Sequence, residues 1–337
     1  MKKMVALTLA LLMAASLFLS GCSVRKDTSD SENSGSSNGS GSGDRVVNVC
    51  SWGEYIDESL IDQFEEETGI KVNYQTAESN EVLYSQLSMG GVDYDVIVPS
   101  DYMISQLIEE DMLAELNYDN IPNFEKIDDR FKNLSYDPEN KYTVPYTWGT
   151  LGIALLYLGY SVNTTDEAEI QEAYQLIADA VKNGVYQGKV MDEVFQKMEG
   201  GNAAIATYYA GDYLSMLENN EDLAYVVPEE GSNWFVDAMC VLKTSQHKEE
   251  AEAWINFMAS TEANLRNMDY IWYASPNAEA LETYPAYYEE TYGEPLDPAL
   301  YEIMAPSQEV LDRCEAYLVL PAETRTLYND LWTQLGI

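Results

Sequence analysis

The sequence predicts an α/β protein in which a parallel-rich sheet is flanked by helices and the chain is divided into two lobes. Between residues 46 and 108, short β-branched runs alternate with helical patterns as β-α-β-α-β-α, the order of a parallel sheet wrapped by helices. The 337 residues, 46% of them hydrophobic, suffice for about two domains with a sizeable core. Beyond residue 150, further helical patterns and apolar runs lead to a helix-rich tail, an order that suggests a second lobe and a return to the first.

The elements follow in turn. VVNVCSW (46–52) is a β-branched run bounded by polar residues and is predicted as a strand. Ile56, Leu60, Ile61 and Phe64 recur at helical spacing up to Thr68, and Gly69 ends that helix. Residues 70–74 alternate as a second strand. Asn80 is placed to cap a helix carrying Val82, Leu83 and Leu87, which stops near Gly90-Gly91. YDVIVP (94–99) is a third, buried strand, and a helix starts at Tyr102. TVPYTWGTLGI (143–153) is apolar and turn-rich. Helices are expected over 166–181, 192–198 and 248–258, strands over 203–208 and 223–227, and an apolar run over 237–242. In sheets of this kind ligands bind beyond the carboxyl ends of the strands. Those ends are Ser51-Trp52-Gly53-Glu54-Tyr55 and Pro99-Ser100-Asp101-Tyr102, each with an aromatic beside a hydroxyl or carboxylate.

Composition narrows the partners. Eighteen Lys+Arg stand against 58 Asp+Glu, a formal net charge of −40. That charge excludes nucleic acid, whose phosphates need a basic footprint, and docking on anionic lipid by a basic face. It suits a cationic small ligand. The first 21 residues read as an export signal: Lys2 and Lys3, then an almost continuous apolar run from Val5 to Leu19, too short for a membrane span. It ends in Leu19-Ser20-Gly21-Cys22, which resembles a lipoprotein cleavage box and marks Cys22 for lipidation. Residues 26–44 hold no apolar residue and form a tether with a reach of roughly 20–25 Å. The expected place is the cell envelope, lipid-anchored to the outer face of the cytoplasmic membrane or periplasmic.

Several chemistries lack their residues. His247 is the single histidine, so HExxH zinc sites and other two-histidine metal sites are excluded; it is expected to be solvated in a polar turn. From residue 46 onward no G-x-S-x-G, G-x-G-x-x-G or phosphate-binding P-loop occurs, and the one G-x-S-x-G run, Gly35 to Gly39, lies in the polar tether, so neither an enzyme nor a cofactor is expected. Cys50 and Cys240 lie in apolar runs and are expected as small buried hydrophobes rather than disulfide partners. Trp148, Trp254 and Trp332 are assigned to packing.

From Ser51-Trp52-Gly53-Glu54-Tyr55 onward the chain resembles the spermidine/putrescine-binding lipoproteins of bacterial polyamine ABC importers. The matching stretches include SWGEYID, FEEETGIKVNY, YDVIVPSDYM, YTVPYTWGTLGI, YYAGDY, AEAWINFMAS and YIWYASPNAEA. The resemblance implies a two-lobed periplasmic-binding-protein fold closing on a ligand, with a membrane permease as partner. It implies lobe boundaries at 46–150, 151–238 and 239–337, after a signal peptide (1–21) and a linker (22–45). It implies a cleft formed by Trp52 and Tyr55, by Ser100 and Tyr102, by Tyr209, by Asp237 with Trp234 or Phe235 beside it, and by Tyr273. Near Leu318 a polar residue of the family pattern is replaced.

One departure from that family stands out. Ile153 runs directly into Ala154-Leu155-Leu156, where the family continues for a few tens of residues that carry two acidic ligands. The second lobe is therefore expected to be shortened, with Asp192 and Glu193 as the nearest substitutes. A polyamine needs carboxylates for its ammonium groups and flat apolar surface for its methylenes. Trp and Tyr faces attract a cation by ~0.5–2 kcal/mol each. Asp237 is expected to matter most, because an unpaired buried amine costs more than a lost ring. The alternatives are another small cation, a sugar stacked on the aromatics, or a paralogue that binds nothing.

Overall fold

The computed structural model describes residues 45–151, 154–188 and 193–336. The signal segment, Cys22, the tether, Gly152-Ile153 beside the expected gap, and Asp192 lie outside the described residues. No helix among the described residues is long and apolar enough to cross a membrane.

The first third of the chain follows the expected alternation: β1 (Val46–Ser51), α1 (Ser59–Thr68), β2 (Lys71–Thr76), α2 (Asn80–Met89), β3 (Val96–Ile97) and α3 (Asp101–Glu109). Gly69 closes α1 at φ 67°, a left-handed cap that only glycine adopts without strain. The cap of α2 is Ser79, not Asn80: the Ser79 hydroxyl accepts from the Val82 N–H at 3.2 Å. Asn80 instead brackets Ser100, donating from Nδ2 to Oγ at 3.0 Å and accepting from the Ser100 N–H at 3.1 Å. The expected third strand shrinks to two paired residues, both fully buried.

The remaining elements are β4 (Thr143–Leu151), α4 (Ala154–Tyr157), α5 (Glu167–Lys182), α6 (Glu193–Glu199), α7 (Ala210–Leu217) and β5 (Ser232–Val241). After them come α8 (Lys248–Met258), α9 (Thr261–Ile271), α10 (Ala278–Tyr292), α11 (Pro298–Met304), α12 (Gln308–Leu311), β6 (Cys314–Glu315) and α13 (Ala322–Gln334). The segment read as apolar and turn-rich is the nine-residue strand β4. Its strand character comes from its partner: β4 pairs antiparallel with β5 from Thr143–Cys240 to Leu151–Asn233, with one irregularity between Pro145 and Thr147.

All six strands join one sheet in the order β2-β1-β3-β5-β4, with β6 added to β5. The β2, β1 and β3 strands are parallel, and β5 runs against both β3 and β4. β5 therefore touches three other strands and is buried along nearly its whole length. Helix α8 packs on β1 and α1 on β2, and Phe64 of α1 meets the Trp254 ring of α8 edge-on at 5.1 Å. Trp148 and Trp254 are buried as expected, whereas Trp332 is half exposed on α13. Cys50 and Cys240 are fully buried and free. His247 is not simply solvated: its Nδ1 lies 3.2 Å from the buried carboxylate of Asp95.

Two expected strands do not form. Residues 203–208 and 223–227 are not strand. Ile205 is 89% exposed and Val226 78%. β-branched residues favour strands by packing on neighbouring strands, and among the described residues no strand lies alongside here. The regular elements described between β4 and β5 are thus the helices α4 to α7, joined by loops, and β5 returns to the first sheet.

Gly231 makes that return possible. It sits at φ 110°, and a Cβ there would lie 2.0 Å from the Arg313 carbonyl oxygen just before β6. Replacing Gly231 by Ala is expected to lower stability by about 1–3 kcal/mol through backbone strain and overpacking. A urea titration checks it; an unchanged midpoint would mean that β6 does not rest on β5 at this point.

Candidate functional site

The carboxyl ends of β1 and β3 and one face of β5 open on a cavity of about 1430 Å³. That exceeds the usual 300–1,000 Å³ of a small-molecule pocket, as an open cleft would. Trp52, Tyr55, Ser100, Tyr102, Tyr209, Phe235, Asp237 and Tyr273 all line it. Trp234 does not. Alternation along β5 puts Asn233, Phe235 and Asp237 on the cleft face and turns Trp234 to the other side.

Asp237 sits where three strands converge. It pairs across β4 with Thr147 and forms an isolated bridge with Ser100, beside an Ala238 N–H bond to the Pro99 carbonyl at 3.1 Å. The Tyr55 hydroxyl donates to Asp237 Oδ2 at 2.8 Å. Having one proton, that hydroxyl must accept from Thr147 Oγ1, 2.5 Å away. Tyr55 is itself held by Tyr146, whose hydroxyl donates to the Tyr55 carbonyl at 2.6 Å. Asp237 Oδ1 is buried with no partner in hydrogen-bond geometry among the described residues. Burial pushes the Asp237 carboxyl up to about 6; the Ser100 hydroxyl, Tyr55 and the Trp52 indole lie close enough to ease the charge but do not offset its desolvation.

A second buried acid stands next to it. Asp101 opens α3, is 3% exposed, and accepts from the Tyr102 N–H at 2.7 Å. Burial, with the neighbouring Asp237 adding to it, raises its carboxyl to about 7. An ionised Asp237 thus disfavours the charge of Asp101.

Aromatic rings form the rest of the wall. Tyr209 meets Phe235 edge-on at 5.6 Å, and Tyr273 meets Tyr55 at 5.4 Å. The Tyr273 hydroxyl donates to Asp212 Oδ1 at 3.0 Å. Gly211 lets α7 approach that ring, since a Cβ there would lie 2.4 Å from it. On the opposite side Tyr102 donates to Glu81 at 2.9 Å and meets Tyr317 edge-on.

Sequence reasoning passed over Asp101, Asp212, Glu81, Asn233 and Tyr317. Asp101 lay in the strand-end segment that the topology rule singles out, and Asp212 in YYAGDY, so a signal existed for both. Asn233 and Tyr317 gave none, because their approach to the cleft depends on how β5 and β6 pair. Leu318, where the family pattern is broken, is half exposed and does not line the cavity; its neighbour Tyr317 does.

The charge of the lining is one-sided. Among the described lining residues ten are acidic (Glu54, Asp57, Glu78, Glu81, Asp101, Glu199, Asp212, Glu218, Asp237 and Asp269), and only Arg266 is basic. Arg266 is already engaged, donating from Nη2 to Asp57 at 3.0 Å. Such a cavity repels anions and draws cations. Among the described residues no group of three or more His, Cys, Asp or Glu has the geometry to hold a metal ion.

Residues 51–265 match the family model of the bacterial extracellular solute-binding proteins. The chain belongs to that family. Its relatives include the spermidine/putrescine-binding periplasmic protein of Salmonella typhimurium. That protein is 29% identical over 269 aligned positions, which take in 68% of this chain, roughly 229 residues, and 77% of the relative. Among solved structures, one assigned to a spermidine/putrescine ABC transporter of Listeria monocytogenes is 35% identical with a TM-score of 0.78, covering 87% of this chain and 99% of its own. The spermidine/putrescine ABC transporter substrate-binding protein of Streptococcus pneumoniae is 33% identical with a TM-score of 0.73, covering 87% and 98%. The fold shared with the family is the periplasmic-binding-protein fold.

The raised carboxyls give the ligand-free protein a defined pH response. In the unfolded chain both acids ionise near the ordinary carboxylate value of about 4. In the folded chain they keep their protons up to about 6 and about 7. The folded state therefore binds more protons in that window, and stability falls as pH rises through it. Melting temperatures recorded from pH 4 to pH 7.5 should decline, and Asp237→Asn should flatten the decline. A melting curve that rises across the same window in both proteins would show that these acids are not buried as described.

Proposed function

We propose that this protein binds a polyamine, putrescine or spermidine, outside the cytoplasm and delivers it to the membrane permease of an ABC importer. The observation that carries this reading is the lining of the cleft: ten carboxylates against one paired arginine, set among aromatic faces. Carboxylates replace the hydration of ammonium groups, and the rings cover the methylenes between them. A neutral sugar would use the aromatics and leave Asp101 and Asp237 without a counter-charge. A binding role without catalysis agrees with the family, which is one of solute binders.

Trp52, Tyr55, Tyr102, Tyr209, Phe235 and Tyr273 are assigned as the apolar contacts, and Ser100 as a hydroxyl ligand. Asp237 is assigned as the principal ammonium ligand, supported by its unpartnered Oδ1. Calorimetry of the full chain with putrescine, spermidine and glucose tests the reading directly. Saturable binding of an amine but not of the sugar supports it; no amine binding overturns it and leaves the non-binding paralogue. In the same assay Asp237→Asn should weaken amine binding by at least ~2 kcal/mol, the lower range for truncating one partner of a buried charge pair. An unchanged dissociation constant with an unchanged melting curve would remove Asp237 from the site.

We further propose that the second lobe is shortened after Ile153. The Salmonella alignment supports this: its 269 positions hold roughly 229 residues of this chain, so about 40 have no counterpart. On this reading Asp101 and Asp212 take over the ammonium partners lost with the segment.

The anchor is proposed on Leu19-Ser20-Gly21-Cys22 and the polar tether that follows. Cells expressing the full chain with Cys22→Ala should release the protein from the membrane fraction. Membrane retention equal to that of the wild type would contradict lipidation at Cys22.

A further inference from the structure

Two buried acceptors on the cleft face of β5 lack partners among the described residues: Asp237 Oδ1 and Asn233 Oδ1. Asn233 is 1% exposed and lines the cavity. Its Nδ2 donates to the Trp234 carbonyl at 3.3 Å, which orients the amide so that the oxygen is the unsatisfied atom. A buried carbonyl oxygen left unpaired costs about 1–3 kcal/mol, and a donor that reaches it relieves that cost.

The spacing of the two acceptors is set by the strand. The pairing with β4 is regular from Asn233 to Asp237, and four residues of strand advance roughly 13 Å. Phe235 lies between them on the same face and presents its ring to the cavity. The order along the face is amide, aromatic, carboxylate.

An all-trans chain of single bonds advances about 1.2 Å per bond, as an extended peptide does. A triamine with roughly nine bonds between its terminal nitrogens spans ~11 Å, and a four-carbon diamine with roughly five bonds spans ~6 Å. With one terminus on Asp237, the triamine passes over Phe235 and brings its other ammonium to Asn233. The diamine ends short of it.

From this geometry we infer that Asn233 selects for polyamine length by accepting a hydrogen bond from the far ammonium of a triamine. The inference rests on the amine-binding reading above. Asn233→Leu keeps the volume and removes the acceptor. Asn233→Asp keeps the acceptor and adds charge.

Putrescine and spermidine are titrated by calorimetry into the full-length wild type and both variants. The expected result is a loss of about tenfold or more in spermidine affinity for Asn233→Leu, the scale of one charge-assisted hydrogen bond, with putrescine affinity unchanged. For Asn233→Asp, spermidine affinity should rise more than putrescine affinity. An equal change for the two amines, or no change in either variant, overturns the length-selecting role. Should Asn233→Leu not fold, the Asn233→Asp ratio of the two affinities decides alone. Failure of the wild type to bind either amine is a different result and overturns the amine-binding reading itself.

Discussion

The cleft depends on one constraint: a carboxylate, Asp237, placed in the most buried strand of the sheet at the junction of β3, β4 and β5. A desolvated carboxylate needs either a proton or a counter-charge. Tyr55 supplies a hydrogen bond to one oxygen, and no described residue in hydrogen-bond geometry supplies one to the other. Much of the surrounding architecture serves this arrangement. Thr147 and Tyr146 fix Tyr55, Asn267 fixes Tyr146, and Asn80 fixes the Ser100 segment that bridges to Asp237. The network is built to hold a negative group, with donors too few to neutralise it.

Asp101 turns that constraint into a device. Burial keeps both carboxyls protonated above the usual range, and the charge of Asp237 adds to the rise at Asp101. A cation arriving in the cleft removes the reason for holding those protons. On the amine-binding proposal, binding and proton release would be linked, and a neutral solute would not provide the same compensation. The aromatic faces add area and weak cation attraction, and the carboxylates of the lining favour a positive charge over a negative one.

The first stretch of the fold, Val46 to Glu109, was legible because it is local. Strand, helix and glycine stop recur from Val46 to Glu109 in the order that a parallel sheet requires, and the strand-end rule points to Tyr55 and to the Ser100–Tyr102 segment before any contact is known. The later part was legible only where residues carry their own packing signal, as in α8. β4 was read as turn-rich because its strand identity comes from β5, some 90 residues downstream in sequence. Residues 203–208 and 223–227 failed in the opposite sense: they have strand composition but no strand beside them. The choice between Trp234 and Phe235 needed the strand register, because one residue of shift exchanges the faces of β5.

The two walls of the cleft are consequently built in different ways. One rests on the ends of β1 and β3 and on β5, where backbone ladders set each side chain. The other comes from α6, α7 and the segment between them, contributing Phe195, Glu199, Tyr208, Tyr209 and Asp212 without a described strand of their own. This second wall meets the sheet side where Gly211 lies against the Tyr273 ring, and Tyr273 in turn touches Tyr55 and Phe235 and donates to Asp212. A side chain at position 211 would push directly on that ring, so the absence of a Cβ there lets the helical wall close to contact distance. The chain thus places its strongest electrostatic groups, Asp101 and Asp237, on the side braced by the sheet. The helical side adds Phe195, Tyr208 and Tyr209 alongside its own acids Glu199, Asp212 and Glu218, and a ring contact is less sensitive to small displacement than a charge-assisted hydrogen bond.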